Sequence, residues 1–137
     1  MEINRLVPEL YVQDIQRSLN FYVQTLKFKI DFQRTEDKFA HISYEGAQLM
    51  LCQDDGSWIT EDPIFPRGRG INLQVEVNNL SEMESRVVQA GISPFSNTKE
   101  VWYRIDNKEE GVKEFLIQDP DGYLLRFQQF LGERILQ

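Results

Sequence analysis

The order strand, helix, strand, strand, strand runs through this chain twice, and that repeat limits the fold more than any single motif does. In the first copy the strand Ile3 to Val12 leads to Asp14, an N-cap, and to Ile15, Leu19, Tyr22 and Leu26 on one helical face, which predicts a helix over 14–25. Three strands follow, in "FKIDFQR", "KFAHISY" and "AQLMLCQ". In the second copy "GINLQVEV" alternates Ile71, Leu73, Val75 and Val77 with Asn72, Gln74 and Glu76. Asn79 then caps a helix with Glu82 at the capping-box position, Leu80, Met83 and Val87 form its apolar stripe, and Gly91 suits its end. Strands are predicted in "KEVWYRI", "VKEFLIQ" and "YLLRFQQ".

The copies align well by pattern. "LYVQDIQ" lies over "VEVNNLS" with an offset of 65 (77 − 12), and "EGAQLML" over "DGYLLRF" with an offset of 76 (122 − 46). One helix covers one face of each module's sheet, so the other face, with its more polar alternates, is left to curve around something. Between the modules, "DDGSWITEDPIFPRGR" (54–69) has the Gly, Pro and Asp content of a loop. Composition excludes several function classes. A net charge of −7 opposes nucleic acid, whose binding depends on neutralising phosphates, and would favour a cationic ligand. A single cysteine, Cys52, excludes an internal disulfide and a Cys-rich zinc site. No apolar run approaches a membrane span, and "MEINRLVPEL" lacks a signal peptide's apolar core, so a cytoplasmic protein is the default expectation.

One residue stands out. In "DPDGYLLRFQQF" the turn Asp119-Pro120-Asp121-Gly122 opens a strand with Leu125 and Phe127 on one face and Leu124, Arg126 and Gln128 on the other. A buried guanidinium left unpaired would cost about 3–5 kcal/mol, so Arg126 needs water or a carboxylate. Glu9 and Glu76 share the predicted open face and are the expected partners in an ion pair; a ligand with an anionic or carbonyl group is the sharper alternative.

The paired βαβββ modules, "VQDIQRSLNFYVQTLKFKI" near the start and "QDPDGYLLRF" near the end, together resemble the glyoxalase/bleomycin-resistance/dioxygenase superfamily, also called the vicinal oxygen chelate fold. The resemblance covers nearly the whole chain. It implies an α+β fold, a single domain over 1–137 in which modules at about 1–53 and 70–130, joined by the loop 54–69, form an incomplete barrel around a cavity. In the metal-dependent members four His or Glu side chains hold a divalent ion, and those positions fall here on Val7, Met50, Asn72 and Arg126. Two offsets support the carry-over, since 72 − 7 is 65 and 126 − 50 is 76. None of the four suits a divalent metal, so neither a metal nor another cofactor is expected.

Members without the metal residues resemble bleomycin resistance proteins, homodimers that sequester the drug in grooves without chemistry. The implied partner is therefore a small molecule, with a bleomycin-type antibiotic the named candidate and a metabolite the alternative. A glyoxalase- or dioxygenase-type enzyme, a lyase or oxygenase with an atypical site, is the third reading; one histidine, His41, and one cysteine give it little to work with. The candidate ligand-binding residues are Glu9, Met50, Trp58, Asn72, Trp102 and Arg126. Trp58 and Trp102 are chosen as large rings among polar neighbours, where something should cover them. Phe32, Phe39 and Tyr103 are weaker candidates.

Overall fold

A computed structural model describes residues 1–136. The chain is α+β and divides into two compact units. The first comprises Met1–Arg69 with Asp119–Tyr123; the second comprises Gly70–Gln118 with the residues from Leu124 on. Each carries one open, mixed, four-stranded sheet and its helical segment.

In the first unit β1 (Glu9–Val12) is followed by α1 (Ile15–Leu19), which continues as a π-helical turn over Asn20–Thr25. Then come β2 (Lys29–Arg34), β3 (Phe39–Tyr44) and β4 (Ala47–Gln53), in the sheet order β1-β4-β3-β2. The first strand is shorter than the sequence pattern suggests: pairing with β4 begins at Glu9, and Leu6 is 82% exposed. Pro8 supplies the reason, because it has no N–H to donate to a ladder and typically marks a strand's end; its carbonyl takes the Met50 N–H at 2.9 Å. Asp14 caps α1 by accepting from the N–H groups of Gln16 and Arg17. Leu10, Val12, Ala40, Ile42, Leu49 and Leu51 form one sheet face and are all buried, as are Tyr22, Leu26 and Phe28 from the helical side.

The second unit repeats the order with β5 (Asn72–Glu76), α2 (Leu80–Gln89), β6 (Ser96–Ile105), β7 (Lys108–Gln118) and β8 (Leu124–Ile135), arranged β5-β8-β7-β6. Asn79 caps α2 by accepting from the Glu82 N–H, while the Glu82 carboxylate takes Arg86 at 2.6 Å. Val75, Val77, Phe115, Ile117, Leu125 and Phe127 bury one sheet face, and Leu80, Met83 and Val87 supply the helix stripe. Strands β6, β7 and β8 outrun the apolar pattern, so the C-terminal "FLGERI" is strand. The internal symmetry reaches register. Glu9 faces Met50 in the first sheet and Gln74 faces Arg126 in the second, again offsets of 65 (74 − 9) and 76 (126 − 50).

The Asp119–Tyr123 turn is chained to the first unit by side chains. Asp119 accepts from the Tyr22 hydroxyl at 2.7 Å and from the N–H groups of Asp121 and Tyr123, both at 2.9 Å. Burial raises the Asp119 carboxyl to about 6, against the downward pull of those hydrogen bonds. The folded state therefore holds its proton more tightly than the unfolded chain does. Stability from this group is full below the ordinary aspartate range and is lost as pH rises through about 6. Urea midpoints should accordingly fall between pH 4.5 and pH 7, and Asp119→Asn, which keeps an acceptor oxygen but cannot ionise, should flatten that fall. An unchanged slope in the variant would place the pH dependence elsewhere.

Candidate functional site

The face of the first sheet opposite Leu10, Ala40 and Leu51 builds the most promising site. Strand alternation puts Tyr11, Cys52 and Phe39 side by side in one row, because Cys52 faces Tyr11 across β1–β4 and Phe39 across β3–β4. These three form a buried cluster against which Met50 and Ile59 pack. The next row carries Glu9, Met50, His41 and Phe32.

Beside this face the 54–69 loop forms a groove with two lobes, of about 530 and 520 Å³, that share Glu9, Tyr11 and Trp58. One lobe adds Glu36, Asp37, Asp54 and Asp55 against Arg34 and Lys38; the other adds Glu61 and Asp62 with Ile59, Pro63, Ile64 and Tyr123. Trp58 is 86% exposed at this junction, a large ring without cover.

Side chains fix the loop. The Tyr11 hydroxyl lies 2.7 Å from Ser57 Oγ, which donates in turn to Asp55 at 2.7 Å. Burial lifts the Tyr11 phenol above its ordinary value, so it stays a donor at neutral pH; hydrogen bonds from Ser57 hold Asp55 below the usual carboxylate range. Arg67 bridges the loop to the sheet, donating to both Asp54 oxygens at 2.8 Å and to the Tyr11 carbonyl at 3.0 Å. The Tyr123 hydroxyl donates to that same carbonyl at 2.8 Å. With Arg34 paired to Asp37 and Arg67 to Asp54, the groove keeps Glu9, Glu36, Glu61 and Asp62 against Lys38 and Arg69, an excess of negative charge. Burial pushes the Cys52 thiol up, which leaves it protonated and poorly nucleophilic.

His41 is buried. Its Nδ1 donates to Asp31 at 3.0 Å, Ser43 donates to the other Asp31 oxygen at 2.9 Å, and Phe32 stacks on the ring at 4.9 Å. Burial alone would raise Asp31, yet those hydrogen bonds and the Lys29 charge prevail and hold its carboxyl below the ordinary value. Nothing in the sequence pattern pointed to Asp31, which sits where the β2–β3 register slips.

The second unit answers the question raised by Arg126 differently from the sequence reading. Its partner is Glu114, with Nη1 at 3.6 Å from Oε2, and Nη2 donates to Gln74 at 3.0 Å, in place of the expected ion pair with Glu9 or Glu76. Glu114 is only 3% exposed and also accepts from the Tyr103 hydroxyl at 2.7 Å. The register explains the choice. Arg126 faces Leu116 on β7, which puts Glu114 one diagonal away on the same face, whereas Glu76 is exposed at the sheet edge. The bond to Glu114 and burial both raise the Tyr103 phenol.

Glu9 and Trp58 thus meet in the groove, and Met50 lies under it in the apolar cluster. Asn72 is exposed at the start of β5, on the same strand face as Gln74. Trp102 lies on the opposite face of β6 from Tyr103: its ring covers Gly111, where an added Cβ would come within 2.6 Å. Arg134 stacks on it at 4.2 Å, and Nε1 donates to Glu100 at 2.9 Å. Sequence reasoning missed Tyr11, Glu61 and Asp62; the acidic "TEDP" beside Trp58 was the available signal.

The four positions that the resemblance carries over as metal ligands, Val7, Met50, Asn72 and Arg126, do not suit a divalent ion. Val7 has no donor, Met50 is packed into an apolar cluster, and the Arg126 guanidinium already holds Glu114 and Gln74.

Comparison with known proteins agrees with this architecture. A family model described as Glyoxalase/Bleomycin resistance protein/Dioxygenase superfamily matches residues 2–127. Bleomycin resistance proteins of Geobacillus stearothermophilus and Staphylococcus aureus are each 26% identical over 133 residues, covering 90% of this chain and 94% of the relative. TioX from Micromonospora sp. ML1 superposes with a TM-score of 0.70 at 17% identity, over 93% of this chain and 100% of that one. A virulence protein of Salmonella typhimurium does so at 0.67 and 22%, over 96% and 100%, and both likenesses concern the fold alone.

Proposed function

This chain belongs to the glyoxalase/bleomycin resistance protein/dioxygenase superfamily, and from that premise we propose that it binds a small molecule without transforming it, sequestering an antibiotic or a similar compound. The observation that carries the reading is the groove around Glu9, Tyr11 and Trp58, where an exposed aromatic ring stands in a lining with more carboxylates than cations. A planar, cationic compound would find there a stacking surface and charge complementarity, which is what sequestration requires. Similarity to bleomycin resistance proteins makes a bleomycin-type drug the first ligand to try, and a homodimer the assembly we expect. The misfit of the metal positions supports binding over the family's metal chemistry.

Calorimetric titration with metal-free and copper-loaded bleomycin tests the proposal. Binding is expected in one or both series. Trp58→Ala should weaken it at least about tenfold, the loss of roughly one stacking contact with a desolvated cation. Trp102→Ala, on a ring already covering Gly111, serves as the control and should leave affinity unchanged. Absence of heat in both series would retire bleomycin as the ligand, and an unaffected Trp58 variant would retire the groove.

A further inference from the structure

We infer that the outer edge of the second sheet is a self-association surface, on which β6 pairs antiparallel with β6 of a second copy about a two-fold axis at Trp102. The sheet order leaves β6 terminal, and among the described residues only β7 pairs with it. From Lys99 to Ile105 that pairing runs without a register shift, so the outer edge presents a regular row of backbone N–H and C=O groups, a template for another strand. The strand lies open: 97–100 and 103–105 are exposed, Tyr103 at 41% and Ile105 at 42%. The edge strand β2 of the first sheet offers less, because it is shorter and its pairing shifts between Ile30 and Phe32.

Geometry and charge together select the occupant and the register. Residues opposed across an antiparallel ladder share a sheet face and direct their backbone groups alike, so a two-fold axis between identical strands passes through one residue, not between two. Centred on Trp102, the axis sets Glu100 opposite the partner's Arg104 and Arg104 opposite the partner's Glu100, with Val101 against the partner's Tyr103. Other centres are poorer. An axis at Glu100 opposes that carboxylate to its own copy, one at Val101 opposes it to Trp102, and one at Tyr103 opposes it to Asp106. Both charges are exposed and have bonding capacity left. In the single chain Glu100 Oε2 accepts from Trp102 at 2.9 Å, and Arg104 Nη1 donates to the Asp106 carbonyl at 3.1 Å. Arg134, stacked on Trp102, is already neutralised by Glu109 at 2.9 Å. Each edge is used once, so the association closes at two copies and joins their second sheets into one. The inference rests on the homodimer expected above and names its surface.

Charge reversal in the intact chain tests it, read by sedimentation velocity over a concentration series, with circular dichroism to check that each variant is folded. Neither position lines the groove, so the outcome does not depend on any drug. Wild type is expected to dimerise. Glu100→Arg and Arg104→Glu each oppose like charges at both contacts, and each should weaken the dimer at least about tenfold. Mixed one to one, the two variants set the arginines of one chain against the glutamates of the other, so the mixture should regain a dimer of wild-type affinity. A wild-type dimer that both variants leave intact, or a weakening that mixing does not reverse, overturns the β6 pairing and leaves the homodimer itself standing. A wild-type chain that stays monomeric across the series overturns both.

Discussion

Gly122→Ala is expected to destabilise the first unit by about 3 kcal/mol or more, through two effects that act together. Gly122 has φ +97°, in the left-handed region that side-chain-bearing residues rarely adopt. A Cβ added there would also lie 2.5 Å from Pro66 Cα and 3.0 Å from the Arg67 backbone nitrogen, and neither backbone atom can swing aside as a flexible side chain would. The Arg67 N–H donates to the Asp121 carbonyl at 2.9 Å, so parting the two segments to admit a methyl group breaks the tie between the turn and the groove-forming loop. Gly46→Ala supplies the control: its φ is +92°, yet among the described residues nothing lies within 4 Å of the added Cβ. That change should cost only the conformational term, roughly 1 kcal/mol. Urea denaturation followed by circular dichroism compares the two, and equal midpoints would show that close packing of the turn on Pro66 contributes nothing.

Arg126→Leu is the second large effect, expected to cost about 3 kcal/mol because it strands a carboxylate. Glu114 is almost wholly buried and would be left with the Tyr103 hydroxyl as its neutral partner. The double variant Glu114→Leu with Arg126→Leu should recover most of the loss, since two apolar residues on one sheet face leave no buried charge. Recovery marks the arginine as structural, which is the role its contacts with Glu114 and Gln74 describe. If the single variant instead keeps wild-type stability, the pair does not hold the second sheet, and Arg126 is free to serve a ligand. Stability is read from urea midpoints and the coupling from the full double-mutant cycle.

Much of the fold was legible because its signals are local. Asp14 and Asn79 cap the helices from positions next to them, and Leu80, Met83 and Val87 show the helical period within eight residues. The repeat carried more than element order. Offsets of 65 and 76, read from letters alone, returned as the pairings Glu9–Met50 and Gln74–Arg126, since a module that keeps its hydrophobic alternation must keep its register. The loop with Trp58, and the strand that carries Glu9, are likewise legible in the letters.

Other features depended on which strands meet and how they face. "KEVWYRI" alternates evenly, and nothing in it says whether Trp102 or Tyr103 turns toward the open face; the pairing of Trp102 with Gly111 decides that. Glu114 became the partner of Arg126 through a diagonal between β7 and β8, and Asp31 reached His41 through a slip in register between β2 and β3. The Asp119–Tyr123 turn could be read as a turn, but not as a piece of the first unit anchored by Tyr22, 97 residues away. Caps and periodicity are contests among neighbours along the chain, which the sequence by itself determined. Ion pairs, buried acceptors and ring contacts join residues far apart in sequence, so only the tertiary structure, by setting sheet register and loop path, decided them.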